Sequence, residues 1–272
     1  MRFKKVSAVL LSGFLGVSSF MGCSGSNSAK VEFNPKAGDE YKLTYDISMD
    51  TTYGEENMSM SMDMLAKMKF SEVTKDNIKV EATYDDLSMS MNLLGQEINV
   101  NKDNPQFAEI FDELTSMKLI MDMDLDGNII ETSFEGADGL EGVDSLGLST
   151  TQEGISNELL QYNDFELKEG EEIEIPVDNS MLQTLSSAGV ELPEDFKIKG
   201  KVVSVNDDEA VIKIDTDEFE TDGVKCTLSM ETTIDLNVGM TSKMTMEMKM
   251  TGNEDGEAID GTVKANVLIE KI

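Results

Sequence analysis

Apolar side chains recur at every second position along most of this chain, the spacing that sends successive residues to opposite faces of a β-strand. Met58, Met60, Met62 and Met64 alternate with Ser and Asp, and Met244, Met246, Met248 and Met250 alternate with Thr, Glu and Lys. Each run predicts a strand with one buried and one solvated face. The same rule runs from Met117 through Leu119, Met121, Met123 and Leu125. There Asp126-Gly127 supplies the positive-φ dipeptide of a tight hairpin leading into a strand over 128–132. Further strands are predicted over 41–49, 223–237 and 262–271.

The period changes in three places. After Pro105, Phe107, Ile110, Phe111 and Leu114 form one apolar stripe at three- and four-residue spacing, which predicts a short helix. Ile155, Leu159 and Tyr162 predict a second, and Met181, Leu182 and Leu185 a third that ends at Gly189. The stretch 136–147, rich in Gly, Asp and Glu, reads as a loop.

A repeat underlies the pattern. Phe33-Asn-Pro-Lys36-Ala-Gly38-Asp39-Glu40 recurs 132 residues later as Phe165-Glu-Leu-Lys168-Glu-Gly170-Glu171-Glu172. Each copy is followed by a strand, a polar turn and a second strand: 67–73 and 78–84 in the first half, 199–205 and 211–216 in the second. The fold class expected is mainly β, built from duplicated antiparallel β-sheet units, half-barrel or sandwich-like, with a few short helices. The first β-rich repeat is placed at 31–162 and the second at 163–272, with the boundary near Tyr162.

The beginning of the chain obeys neither period. Arg2, Lys4 and Lys5 precede an uncharged apolar run over 6–20, the layout of a signal peptide and too short for a spanning helix of roughly 20 residues. Cys23 closes that run and is followed by Ser24-Gly25-Ser26-Asn27-Ser28, a flexible linker over 23–30. Phe20-Met21-Gly22-Cys23 resembles the lipobox of bacterial lipoproteins. The expectation is therefore a signal peptide over 1–22, lipid attached to Cys23, and a protein held by that lipid on the outer face of a cell membrane. Two or more acyl chains on one cysteine anchor stably where one binds marginally.

Removing the three basic residues of the leader turns a net charge of −32 into −35. Such a surface repels nucleic acid, whose binding depends on Lys and Arg neutralising phosphate, so no nucleic-acid partner is expected. Cys23 and Cys226 are the only cysteines, and lipidation of the first leaves the second without a disulfide partner. Stability then rests on packing.

The lipobox-like start, the Phe-x-x-Lys-x-Gly-acid-Glu motif and the hairpin around Leu125-Asp126-Gly127-Asn128-Ile129 together resemble an uncharacterised family of β-rich bacterial lipoproteins, over nearly all of residues 31–272. More distantly the chain is similar to half-barrel lipoprotein carriers. That resemblance implies acyl chains held on a curved sheet; it implies no active site.

The chain has no histidine, which removes Ser-His-Asp and Cys-His nucleophilic systems and His-ligated zinc. No Gly-rich phosphate loop is present. The expectation is a protein that is not an enzyme and needs no cofactor. Asp122, Asp124, Asp126 and Gly127 match the first half of a calcium loop, but Ser133 stands where a bidentate Glu is required, so no metal site is expected there. The methionines admit three readings: flexible core filler, a thioether copper site, or an adaptable apolar groove. Core filler is the plainest of the three; of the functional readings the groove is preferred, with Met58, Met60, Met62, Met64, Met244, Met246, Met248 and Met250 as ligand-binding residues for a lipid or other apolar ligand. The alternative is a non-enzymatic envelope scaffold that contacts other proteins through its sheet edges.

Overall fold

The computed structural model describes residues 28–54, 56–93, 95–125, 127, 129–136, 165–175, 198–221, 223–254 and 257–272. The first half supplies β1 (Ser28–Val31), β2 (Glu40–Tyr53), β3 (Glu56–Val73), β4 (Ile78–Leu93), β5 (Gln96–Val100), α1 (Ala108–Ser116), β6 (Lys118–Met123) and β7 (Ile129–Glu135). The second supplies β8 (Phe165–Lys168), β9 (Glu172–Ile175), β10 (Ile198–Val205), β11 (Glu209–Asp215), β12 (Phe219–Thr221), β13 (Val224–Asp235), β14 (Met240–Glu254) and β15 (Glu257–Lys271). The fold is mainly β. Thirteen strands form one open antiparallel sheet in the order β7-β6-β4-β3-β2-β15-β14-β13-β11-β10-β9, with β5 beside the end of β4 and β12 beside the start of β13. A separate two-stranded sheet pairs β1 with β8.

The repeat is written into the hydrogen bonds. Gly38 N–H donates to the Phe70 carbonyl at 2.7 Å and Phe70 N–H to the Asp39 carbonyl at 2.9 Å. In the second half, 132 residues later, Gly170 N–H donates to Val202 at 2.9 Å and Val202 N–H to Glu171 at 3.0 Å. Both glycines are left-handed, φ 90° and 84°, which explains why Gly stands at this position twice. The following turns close alike, Thr74 to Asn77 and Asn206 to Glu209, both at 2.9 Å. Bulges fall at matching places, between Phe70 and Glu72 and between Val202 and Ser204. A second pair lies between Asp122 and Met123 and between Thr233 and Ile234. Along the sheet, β9-β10-β11-β13-β14 are therefore followed by their counterparts β2-β3-β4-β6-β7, with β15 inserted at the seam.

Several strands run further than local sequence suggests. The predicted strands at 58–64 and 67–73 are one element, β3, because Met64, Ala66 and Met68 stay in phase across Leu65. β4 continues nine residues past the expected end at Tyr84. Asp85-Asp86 looks like a turn, but a bulge absorbs the extra residue, and Lys67 and Lys102 neutralise the two acids at 2.7 and 3.0 Å. β6 stops at Met123, short of the predicted Leu125, because the bulge there breaks the alternation; Leu125 is exposed. The helix expected after Pro105 starts at Ala108, after a turn closed by Asn104. β1 starts at Ser28, inside the stretch read as linker, because β8 pairs with it. The other two expected helices, the boundary at Tyr162, the leader and Cys23 lie outside the described residues.

Candidate functional site

Register carries the two methionine stripes onto one face of the sheet. Reading across the strands, Met89, Met62, Ile47, Ala265, Met246, Met230 and Ile214 stand in one row. The neighbouring row is Met91, Met60, Met49, Val263, Met248 and Leu228. β3 and β14 are separated only by β2 and β15, so the stripes lie roughly 14 Å apart at the usual spacing between strands. Between the stripes the seam carries Gly261, Val263 and Ala265 on β15 beside Thr51, Met49 and Ile47 on β2, all of them buried. The opposite face carries Ser59, Ser61 and Asp63 on β3 and Thr245, Glu247 and Lys249 on β14. One side of the sheet is apolar, the other polar.

All eight sequence-predicted methionines belong to this face. Met58, Met62, Met244, Met246 and Met250 are buried, while Met60, Met64 and Met248 are half-buried. Met49, Met68, Met89, Met91, Met121, Met123 and Met230 join them, while Met117 stands between α1 and β6 and Met240 opposite Asp235. The sequence alone does not single out these seven as site residues. Period-two spacing is the available signal, but nothing local says which strands become neighbours.

Elements that pack against the sheet start at its ends. Phe33 meets Phe70 edge-on at 6.0 Å between ring centres, and Phe70 meets Tyr41 at 5.9 Å. α1 packs on β4 and buries Phe111 and Leu114. The arm after β1 is held where Asn34 N–H donates to the Val238 carbonyl at 2.9 Å. There Gly239, at φ 72°, leaves room for the Glu32 carbonyl, which any Cβ would strike.

A few polar groups interrupt the apolar face. Thr232 is buried, with Oγ1 donating to the Lys243 carbonyl at 3.4 Å. Thr51 is 5% exposed, and its Oγ1 has no hydrogen-bond partner among the described residues. It sits over Gly261, where a Cβ would come within 2.9 Å of the hydroxyl. Burial pushes the Tyr45 phenol up to about 12, with Tyr84 nearby adding to the effect. Cys226 shares the row of Met250, Gly261, Thr51 and Met58, and burial pushes its thiol up to about 11. A thiol so placed is inert filler.

Two aspartates of the partial calcium motif fall among the described residues. Asp122 is paired in register with Lys79 and Glu131 inside the sheet, and Asp124 lies past the strand end, where Gly127 N–H donates to its carbonyl at 3.2 Å. Asp126 lies outside the described residues. Among the described residues no helix is long and apolar enough to cross a membrane.

No family model matches the chain, and no curated protein matches it. Its fold is similar to part of lipovitellin, in a solved structure describing lipid–protein interactions: TM-score 0.51, 12% identity, 88% of this chain over 25% of that one. An outer-membrane channel from Pseudomonas putida F1 aligns over 92% of this chain and 100% of that one, at 6% identity and TM-score 0.24. OccK7 from Pseudomonas aeruginosa aligns over 87% and 100%, at 6% identity and TM-score 0.20. Both scores are too low to bear on the fold. This chain spans about a quarter of the lipovitellin chain it matches, and the likeness is one of fold: an extended antiparallel β-sheet.

Proposed function

We propose that this protein is an extracytoplasmic lipoprotein, anchored through Cys23, that holds a lipid acyl chain against the methionine-lined face of its sheet. The observation that carries the reading is the convergence of both methionine stripes on one face of an open sheet. Unbranched thioether side chains adapt to ligands of varied shape, which suits an acyl chain better than the fixed rotamers of Val or Ile. Burial of such a chain is favourable by about 0.8 kcal/mol per methylene before ordering costs. The Thr51 hydroxyl offers one donor to a polar end group. Lipovitellin, whose solved structure concerns lipid–protein interactions, supports the reading as an example of a similar fold beside lipid. The role requires no chemical step, metal or cofactor.

The test uses the Cys23→Ser full chain and a fluorescent fatty acid, with Met62→Gln and Met246→Gln as variants. If the face is a binding wall, each amide should weaken binding at least tenfold and lower stability little. If the methionines are closed core, binding is absent in the parent and each variant loses about 1–3 kcal/mol from an unpaired buried amide.

A further inference from the structure

The internal repeat also bears on one edge of the sheet, independently of the lipid reading. β7 is the counterpart of β14: Thr132 faces Met121 as Met244 faces Thr232, and Phe134 faces Leu119 as Met246 faces Met230. Glu135 likewise corresponds to Glu247, and Ile130 and Ser242 each stand beside the matching bulge. The two strands differ in what lies beyond them. The far edge of β14 is filled by β15, whereas among the described residues β7 pairs with β6 alone. β14 thus shows, within the same molecule, what this edge accepts.

We propose that the β7 edge binds an extended segment of a partner protein by antiparallel strand addition, in the register with which β15 lies on β14. Backbone hydrogen bonds along an edge give affinity, and alternate side chains give specificity. On β14, Ala265 and Val267 lie opposite Met246 and Met244, and Lys264 lies opposite Glu247, with Nζ 3.8 Å from its carboxylate. The segment that fits β7 therefore places small apolar residues opposite Phe134 and Thr132 and a basic residue opposite Glu135. A second copy of the chain fits poorly. β7 and β9 run the same way in the alternating sheet and cannot pair antiparallel head to tail, and pairing two β7 edges would bring Glu131 and Glu135 of each copy together. A net charge of −32 also opposes self-association.

The probe is a synthetic peptide spanning Glu257–Lys271, added to the purified full-length protein and read by amide hydrogen exchange and fluorescence anisotropy. Binding should be one to one and should slow exchange across 129–135 while leaving β14 unchanged. Glu135→Lys should weaken it about threefold, the size of an exposed cross-strand charge effect. A Lys264→Glu peptide should recover that loss on the variant. Absence of binding would overturn the proposal. So would a β7 already as protected as β14 before peptide is added, or binding indifferent to Glu135→Lys.

Discussion

Thr51 is where the apolar face departs most from simple filling. A buried hydroxyl without a partner costs about 1–3 kcal/mol relative to a satisfied one. Thr51→Val keeps the shape and removes the unpaired group, so it should raise the urea midpoint of the unliganded protein by the equivalent of about 1 kcal/mol while weakening fatty-acid binding. A fall in stability would show that the hydroxyl is satisfied. Asp39 makes a different prediction. The Lys271 ammonium, 2.7 Å away, holds its carboxyl below the usual value of 3.8. Because the folded value is depressed, its contribution is complete above the unfolded value and is lost as pH falls through the folded one. Asp39→Asn should therefore flatten the stability curve below about pH 4 and cost no more than about 1 kcal/mol at pH 7. An unchanged acid limb in thermal melts would contradict the pairing. None of this is legible from sequence, because Asp39 and Lys271 lie at opposite ends of the chain.

At the scale of elements, the repeated Gly38 and Gly170 make the duplication testable. Each holds a positive φ with open space where a Cβ would stand, so an alanine there meets backbone strain alone. Gly38→Ala and Gly170→Ala should each cost about 1–2 kcal/mol in urea unfolding. If one were neutral, the two turns would not be physical equivalents. The alternating strands and the repeat motif can be read from the sequence because period-two spacing and a Gly at a strained turn are local signals. Strand ends cannot, since the bulges at Asp85 and Met123 depend on partner strands. Nor can the order of strands, which is set by non-local pairing: β2 and β15 lie more than two hundred residues apart yet form the seam on which the methionine stripes meet.

For the whole molecule, a net charge of −32 puts electrostatic repulsion across the surface. Adding sodium chloride from about 0.01 to 0.15 M shortens the screening length from roughly 30 to 8 Å and should raise the melting temperature. A melting temperature that falls with salt would mean that favourable ion pairs outweigh the repulsion. The proposed export and anchoring belong to the same scale. Cys23→Ser should abolish incorporation of labelled fatty acid and release the protein from the membrane fraction, and unchanged labelling would rule out the anchor.

Whether an acyl chain lies on the methionine-lined face can be reported by the methionine methyl groups themselves. The Cys23→Ser protein, labelled with carbon-13 at the methionine ε-methyl, is titrated with a long-chain fatty acid. Binding on this face should produce saturable shifts at Met60, Met64, Met89, Met91 and Met248, its half-buried members, with Met240 unmoved. Resonances that stay fixed across the face, or shifts confined to Met240, would contradict it.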